Sequence, residues 1–274
     1  MGKLFGTDGI RGEANRYPMD AMTAFSVGQA VTHLFKNGDH RTRVIIGKDT
    51  RISGYMLEGS LEAGITSMGG NPYLVGVLPT PGIAFITQSM RADAGIVISA
   101  SHNPYQDNGI KIFSGDGFKL SDEQEAFIEG LILNGQLPDM VPPARGMGRA
   151  KRIDDVIGRY IVFIKNTFPR KLSIKGMKIV IDASNGATYK VAPAVFTELG
   201  ADVEIIHDSP DGININDNCG SQHTQDLSMR VKEKGATIGL AFDGDGDRLI
   251  AVDENGREIT GDQILIICSK VLKD

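Results

Sequence analysis

Short runs of apolar, largely β-branched residues recur along the chain at 43–47 (RVIIG), 72–77, 94–99, 177–182 (MKIVID), 201–206 (ADVEII) and 236–242 (ATIGLAF). Their length, and the Gly, Asp and Pro residues that bound them, predict buried strands. Longer stretches with helical spacing lie between them: 53–68, stopped at Gly69; 120–133, with Ser121 and Asp122 as candidate N-caps; and 189–199, stopped at Gly200. Strands alternating with helices predict an α/β fold with mixed, mainly parallel sheets flanked by helices.

The plan of the first half recurs in the second. The strand at 177–182 corresponds to 43–47, and 236–242 corresponds to 92–99 (ADAGIVIS). Two similar domains are therefore expected, with a catalytic cleft between them. The Pro- and Gly-rich stretch 134–150 (NGQLPDMVPPARGMGRA) reads as the linker. The expected division is 1–150, 151–255 and 256–274.

Composition narrows the class without changing the fold. A chain of 274 residues with 41% hydrophobic and 23% charged residues suits about two globular domains. Its 34 glycines exceed the roughly 19 that an average frequency of ~7% gives, which favours a loop-rich α/β enzyme over a helical bundle. Net charge is −5 from 29 basic and 34 acidic residues, with no basic block, so no nucleic acid partner is expected. No apolar run approaches the ~20 residues of a membrane span. The start, MGKLFGTDGIRG, lacks a signal-peptide core, so the cytoplasm is the expected location. Cys219 and Cys268 lie far apart with no metal-ligand spacing, and read as plain thiols in a reducing compartment.

Two segments carry the candidate chemistry. In DGDGDR at 243–248, Asp243, Asp245 and Asp247 alternate with glycines. In an extended segment such residues share a face about 6.6 Å apart. Each pair then repels by roughly 3 kcal/mol at an effective dielectric of ~20, a cost that a bound hard cation removes. Oxygen-only ligands suit Mg²⁺. An acidic surface turn is the plain alternative. An EF-hand is excluded, although Glu254 falls at the twelfth position, because Arg248 stands where the sharp turn needs Gly and both flanks read as strands. The second segment, SASHNP at 99–104, puts Ser101 just past the end of a strand, where open α/β sheets place their chemistry. His102 beside it can make or receive hydrogen bonds. No GxSxG surrounds Ser101, which argues against a triad hydrolase.

Together with FGTDGIRG at 5–12, GKDTRISG at 47–54, PTPG at 79–82, ADAGIVISASHNPYQDNGIKIF at 92–113 and INDNCGSQH at 215–223, these segments resemble the α-D-phosphohexomutase family in the family's own order. Within it they are most similar to the branch that interconverts glucosamine phosphates; phosphomannomutase or phosphoglucomutase chemistry is the alternative, and a non-catalytic phosphosugar-binding fragment is another. The resemblance implies that Ser101 is phosphorylated and that one Mg²⁺ is held by Asp243, Asp245, Asp247 and an oxygen of that phosphate. It further implies isomerisation of glucosamine 6-phosphate and glucosamine 1-phosphate through a hexose 1,6-bisphosphate. Arg11 and Arg248 are expected to offset phosphate charge, Lys111 to serve as general acid/base, and His102 to organise the serine loop. Asp49 and Arg51 read as a structural ion pair. A phosphorylated amino sugar is the expected partner, with no membrane involved and a homodimer allowed. The chain ends without the family's sugar and phosphate loops. A truncated third domain is therefore expected from Gly256, with Ile264, Leu265, Ile267, Val271 and Leu272 on an unpartnered apolar helix.

Overall fold

β2 (Arg43–Lys48) is buried on both faces, as its unbroken apolar run requires. Val44 and Ile46 enter a core beneath α1 (Ala21–Leu34) and α2 (Ser53–Ser67), joined there by Val27, Val31, Leu57 and Leu61. Ile45, of opposite parity, enters a second core beneath α3 (Thr80–Ser89) and α5 (Val156–Thr167) with Ile83, Ile86 and Tyr160. Each fully buried aliphatic side chain of this kind contributes about 1.5–3 kcal/mol. This computed structural model describes residues 4–38 and 40–273.

The first sheet has the order β1-β5-β4-β2-β3-β6, with β1 (Ile10–Glu13), β3 (Asn71–Val77), β4 (Ala94–Ile98), β5 (Asp107–Ser114) and β6 (Lys151–Arg152). β4, β2, β3 and β6 run parallel, and β5 turns back antiparallel beside β4. The second sheet has the order β11-β10-β9-β7-β8, with β7 (Lys178–Asp182), β8 (Asp202–Ile206), β9 (Ile238–Phe242), β10 (Leu249–Asp253) and β11 (Glu258–Ile259). Here β9, β7 and β8 are parallel and β10 is antiparallel to β9. The order β5-β4-β2-β3 thus maps onto β10-β9-β7-β8, the duplication that the hydrophobic pattern predicts.

The expected helices form with small shifts. α2 starts at Ser53, α4 spans Asp122–Leu133, and α6 is the shorter Val191–Glu198. Ser121, not Asp122, caps α4: its hydroxyl accepts from Gln124 N while the Gln124 side chain accepts from Ser121 N, a reciprocal capping box. The stretch 134–150 lies against the first unit, with Gly148 N bonded to Thr66 O at 2.9 Å and Arg149 N to Asn71 Oδ1 at 2.9 Å. The two units also share a core, because Val191 and Val195 of α6 pack in the same cluster as Ile83 and Tyr160. α7 (Gln225–Lys234) covers the other face of the second sheet through Leu227 and Val231. The last helix, α8 (Gly261–Lys273), exposes Leu265, Ile266 and Ile267 and leaves Ile264 half-buried; the side chains of Val271 and Leu272 lie outside the described ones. No helix among the described residues is long and apolar enough to cross a membrane.

Candidate active site

The duplicated topology places two hairpin crossings face to face. β4 ends at Ile98, and the loop to β5 carries Ser101. β9 ends at Phe242, and the loop to β10 carries the three aspartates. Ser101 is buried, and its hydroxyl donates to Asp243 Oδ2 at 2.7 Å and accepts from Arg248 Nη2 at 2.8 Å. His102 Nδ1 lies 3.3 Å from the same hydroxyl and is also contacted by Arg248 Nη2. A serine hydroxyl, a carboxyl and a guanidinium therefore meet at one oxygen, although they come from loops of different sheets.

Ser101 has φ +54°, a left-handed conformation that costs a residue with a side chain about 1–2 kcal/mol. Its surroundings hold it there. Arg51, fully buried, bonds Asp49 Oδ2 at 2.8 Å. The rest of its guanidinium donates to the carbonyls of Ser101 (3.0 Å), Asn103 (2.8 Å), Asp107 (3.1 Å) and Pro104. Asp49 also accepts from Ser99 Oγ at 2.6 Å, and Ser99 Oγ accepts from Ser101 N at 3.0 Å. Burial pushes the Asp49 carboxyl above its ordinary value, and the Arg51 guanidinium and Ser99 hydroxyl offset only part of that. From the loop that follows β8, Asn216 Nδ2 donates to Ser101 O at 2.9 Å and Asn103 O at 3.0 Å.

The aspartate loop is built for close approach. A Cβ on Gly244 would come within 2.6 Å of Ser101 O, and Gly246 has φ +68°. Only glycine suits both positions. One oxygen from each of Asp243, Asp245 and Asp247 falls within 4.8 Å of the others. Asp243 and Asp245 are buried, while Asp247 is about a third exposed. Burial first, and the Asp245 charge next, push the Asp243 carboxyl up to about 7. The same two causes, in the same order, raise Asp247. Asp245 Oδ2 accepts from Thr80 Oγ1 at 2.7 Å, while its Oδ1 is buried with no partner. An orphaned carboxylate oxygen among like charges is the environment that a hard divalent cation satisfies, so the residues present fit Mg²⁺.

Lys111, on β5, reaches the same loop: Nζ is 3.3 Å from Asp245 Oδ2, 3.5 Å from Asp247 Oδ2 and 3.1 Å from Asp8 Oδ2. Burial alone lowers its pKa, but Asp245, Asp8 and Asp247 outweigh that and hold the ammonium above its ordinary value. Arg11, on β1, is set beside the serine loop by the pairing of Arg11 with Gly109. It bonds Asp8 Oδ2 at 2.7 Å, and its buried Nε has no partner. Despite partial burial, Asp8 is held low by Lys111 and Arg11. A chain Arg11–Asp8–Lys111–Asp245 thus runs along one wall. The geometry gathers all eight expected site residues, although Arg11 joins through Asp8 rather than at the Ser101 hydroxyl. Asp8, Thr80 and Asn216 join them unforeseen, and Arg51 has a larger role than an ion pair; each acts through a partner far away in sequence.

Residues 2–138 match the family model for phosphoglucomutase/phosphomannomutase alpha/beta/alpha domain I, and residues 158–256 match that for domain II. The chain belongs to this family. Among its relatives, the phosphoglucosamine mutase of Syntrophobacter fumaroxidans is 79% identical over 273 residues, which cover 100% of this chain and 61% of that protein. The phosphoglucosamine mutase of Syntrophus aciditrophicus is 62% identical over the same share of each chain. A phosphoglucomutase/phosphomannomutase family protein from Burkholderia thailandensis superposes with a TM-score of 0.84 at 29% identity, covering 98% of this chain and 59% of that one. The chain thus spans 61% of the length of the curated relatives that it matches first. Its two α/β domains with mixed sheets are those of this phosphohexomutase family.

Proposed function

We propose that this chain carries the phosphoryl-transfer centre of a phosphoglucosamine mutase, a cytoplasmic enzyme that interconverts glucosamine 6-phosphate and glucosamine 1-phosphate. The observation that supports it most is the Ser101 hydroxyl, 2.7 Å from Asp243 of the other sheet and 2.8 Å from Arg248. The name carried by the relative at 79% identity favours the glucosamine phosphates over mannose or glucose phosphates. The domain division 1–150, 151–255 and 256–274 is part of this reading, with Lys151 and Arg152 lending a short strand to the first sheet.

In this reading Ser101 bears the phosphate, which carries about −1.5 to −2 charge. Asp243, Asp245 and Asp247, with one phosphate oxygen, would hold Mg²⁺, which supplies charge stabilisation to the transferring group when bound. Arg248 offsets the remaining charge at the serine oxygen, and Arg11 does so from the wall of the cleft. The bond from Ser101 Oγ to phosphorus breaks as a sugar hydroxyl oxygen bonds that phosphorus. The hydroxyl proton leaves to a base, and the serine oxygen takes up a proton. In this reading Lys111, kept protonated by its carboxylates, gives its proton to the serine oxygen and takes up that of the sugar hydroxyl; the reverse step runs the same exchange backwards. The product of the first transfer is the 1,6-bisphosphate, which reorients and returns its other phosphate to Ser101. Water must be kept out meanwhile, because hydrolysis of the phosphoserine competes.

Intact mass, measured on wild type and Ser101→Ala before and after incubation with Mg²⁺ and a hexose 1,6-bisphosphate, tests the reading. Wild type should gain one phosphate and keep it, and the variant should gain none. Phosphate gained by the variant, no gain by wild type, or rapid loss as inorganic phosphate would each overturn it, the last in favour of a phosphatase.

A further inference from the structure

A second group of ligand atoms lies outside the cleft. Asp182, His207 and Cys219 place one oxygen, one nitrogen and one sulfur within 4.8 Å of one another. Sequence spacing could not reveal it, because the three stand at the end of β7, just past β8, and at the far end of the loop that follows. His207 Nδ1 is 3.1 Å from Asp182 Oδ1 but not aligned to bond with it, and this buried nitrogen has no other partner. On the opposite side of the ring, His207 Nε2 faces Asp226 Oδ2 at 3.5 Å. Acids thus face both ring nitrogens; a metal at Nδ1 would displace the proton there and leave Asp226 across the ring. That is the usual outer support of a metal-bound histidine. Solvent reaches the ring through a surface cavity of about 400 Å³ lined by Ile206, His207, Asp226, Met229, Arg230 and Glu233.

We propose that Asp182, His207 and Cys219 bind a divalent transition-metal ion of the zinc type, at a site distinct from the oxygen-only site of Asp243, Asp245 and Asp247. The donor sets separate the two ions. A thiolate and an imidazole favour Zn²⁺ or Co²⁺ and are poor ligands for Mg²⁺, whereas three carboxylates suit Mg²⁺. Charge favours occupancy as well, since Asp182, Asp217 and Asp226 all act on Cys219. A thiol binds such an ion as the thiolate, so binding releases a proton and tightens as pH rises.

The ion's place in the fold suggests its use. His207 and Cys219 are the two ends of the excursion that carries Asn216, so one ion would close that loop. Asp182 already accepts from Ser184 N and Gly220 N at 2.8 Å each, and Ser184 O accepts from Asn216 N at 2.9 Å. Asn216 then reaches across to Ser101 O. The site is thus a clip for the segment that steadies the serine loop, and it rests on none of the phosphoryl-transfer assignments.

The test uses the metal-stripped full chain in a Cys268→Ser background, which removes the exposed thiol. Co²⁺ is titrated in excess Mg²⁺, and a thiolate-to-cobalt charge-transfer band is read. One equivalent should bind with that band. Cys219→Ser should abolish the band, His207→Gln should weaken binding at least tenfold, and Asp243→Asn should change neither. Zn²⁺ should raise the Tm of the parent but not that of His207→Gln, whose side chain, 26% exposed against the buried Cys219, makes it the safer variant if Cys219→Ser fails to fold. Absence of a thiolate band in the folded parent, a band that survives Cys219→Ser, or equal binding by parent and His207→Gln would overturn the proposal.

Discussion

The loops at β4–β5 and β9–β10 occupy the same position in two copies of one topology, yet they are stabilised in opposite ways. In the first, Arg51 satisfies four carbonyls at once, and the serine is held in a left-handed conformation with its polar groups bonded. The second concentrates three carboxyls and leaves Asp245 Oδ1 buried without a partner. One loop is satisfied within the protein; the other holds a charge cluster that a cation would complete. The shared topology supplies two facing positions, one with its polar groups bonded and the other electrostatically unfinished. In the proposed reaction, a nucleophile that must return to the same place would benefit from the first arrangement, and a site that must recruit a charge would benefit from the second.

The sharpest way to break this contrast is to remove the cation of the first loop. Arg51→Ala leaves Asp49 buried without its partner and four carbonyls with fewer donors. Loss of one member of a buried pair costs about 3–5 kcal/mol, so chemical denaturation should show a destabilisation of that size. A loss under about 1 kcal/mol would mean that the loop does not depend on Arg51.

The second loop should instead answer to pH and Mg²⁺. The Asp243 carboxyl titrates at about 7 in the folded chain against 3.8 for the unperturbed group. Folding therefore takes up a proton between those values, and the metal-free protein should lose stability as pH climbs from about 4 to about 7, by on the order of a few kcal/mol. Saturating Mg²⁺ should flatten that slope, because the cation replaces the proton. Tm measured against pH, with chelator and with Mg²⁺, checks both statements; a chelated protein that is most stable above pH 7 would contradict them.

A smaller effect is expected from Asp245→Asn. The amide keeps the size of the side chain but removes a charged ligand. Outer-shell partners alone alter metal affinity by roughly 10–100-fold, so Mg²⁺ binding should weaken at least about tenfold, with little loss of fold. Unchanged affinity by isothermal titration would remove Asp245 from the metal site.

Much of this was legible in the hydrophobic pattern. β2, β4, β7 and β9 are buried on both faces and read as apolar runs, and the two loops stand out because Asp-Gly alternation and the serine segment follow such runs. β5, which carries Lys111, reads less clearly: its sequence DNGIKIFS mixes a turn-like start with a buried lysine. α3 begins with Thr80, Pro81 and Gly82, which resemble a loop until tertiary packing buries Ile83 and Ile86. Arg51 is the clearest limit. In GKDTRISG it looks like half of a local ion pair, and its four carbonyl partners are known only once the chain has folded around it. Asp8 and Asn216 were missed for the same reason, since each is an ordinary polar loop residue whose partners come from another element.

Asn216 gives the finest test of the comparison, because it is where the second domain contributes to the rigidity of the first loop. Its amide donates to Ser101 O at 2.9 Å and Asn103 O at 3.0 Å, and both oxygens also accept from Arg51. Asn216→Ala therefore leaves neither carbonyl unpaired. A hydrogen bond between neutral groups contributes about 0.5–1.5 kcal/mol net, and the shared acceptors place this pair toward the low end, so a loss of about 1 kcal/mol in global stability is expected. The effect on the loop should be more specific. With Arg51 still in place the serine keeps its conformation within the first domain, but its hold across the cleft is weakened, and amide exchange at residues 101–103 should quicken while exchange in β2 and β4 stays unchanged. Equal acceleration in β2 would show that Asn216 supports the domain as a whole. Unchanged exchange at 101–103 would show that Arg51 holds the loop alone and that the second domain supplies only charge.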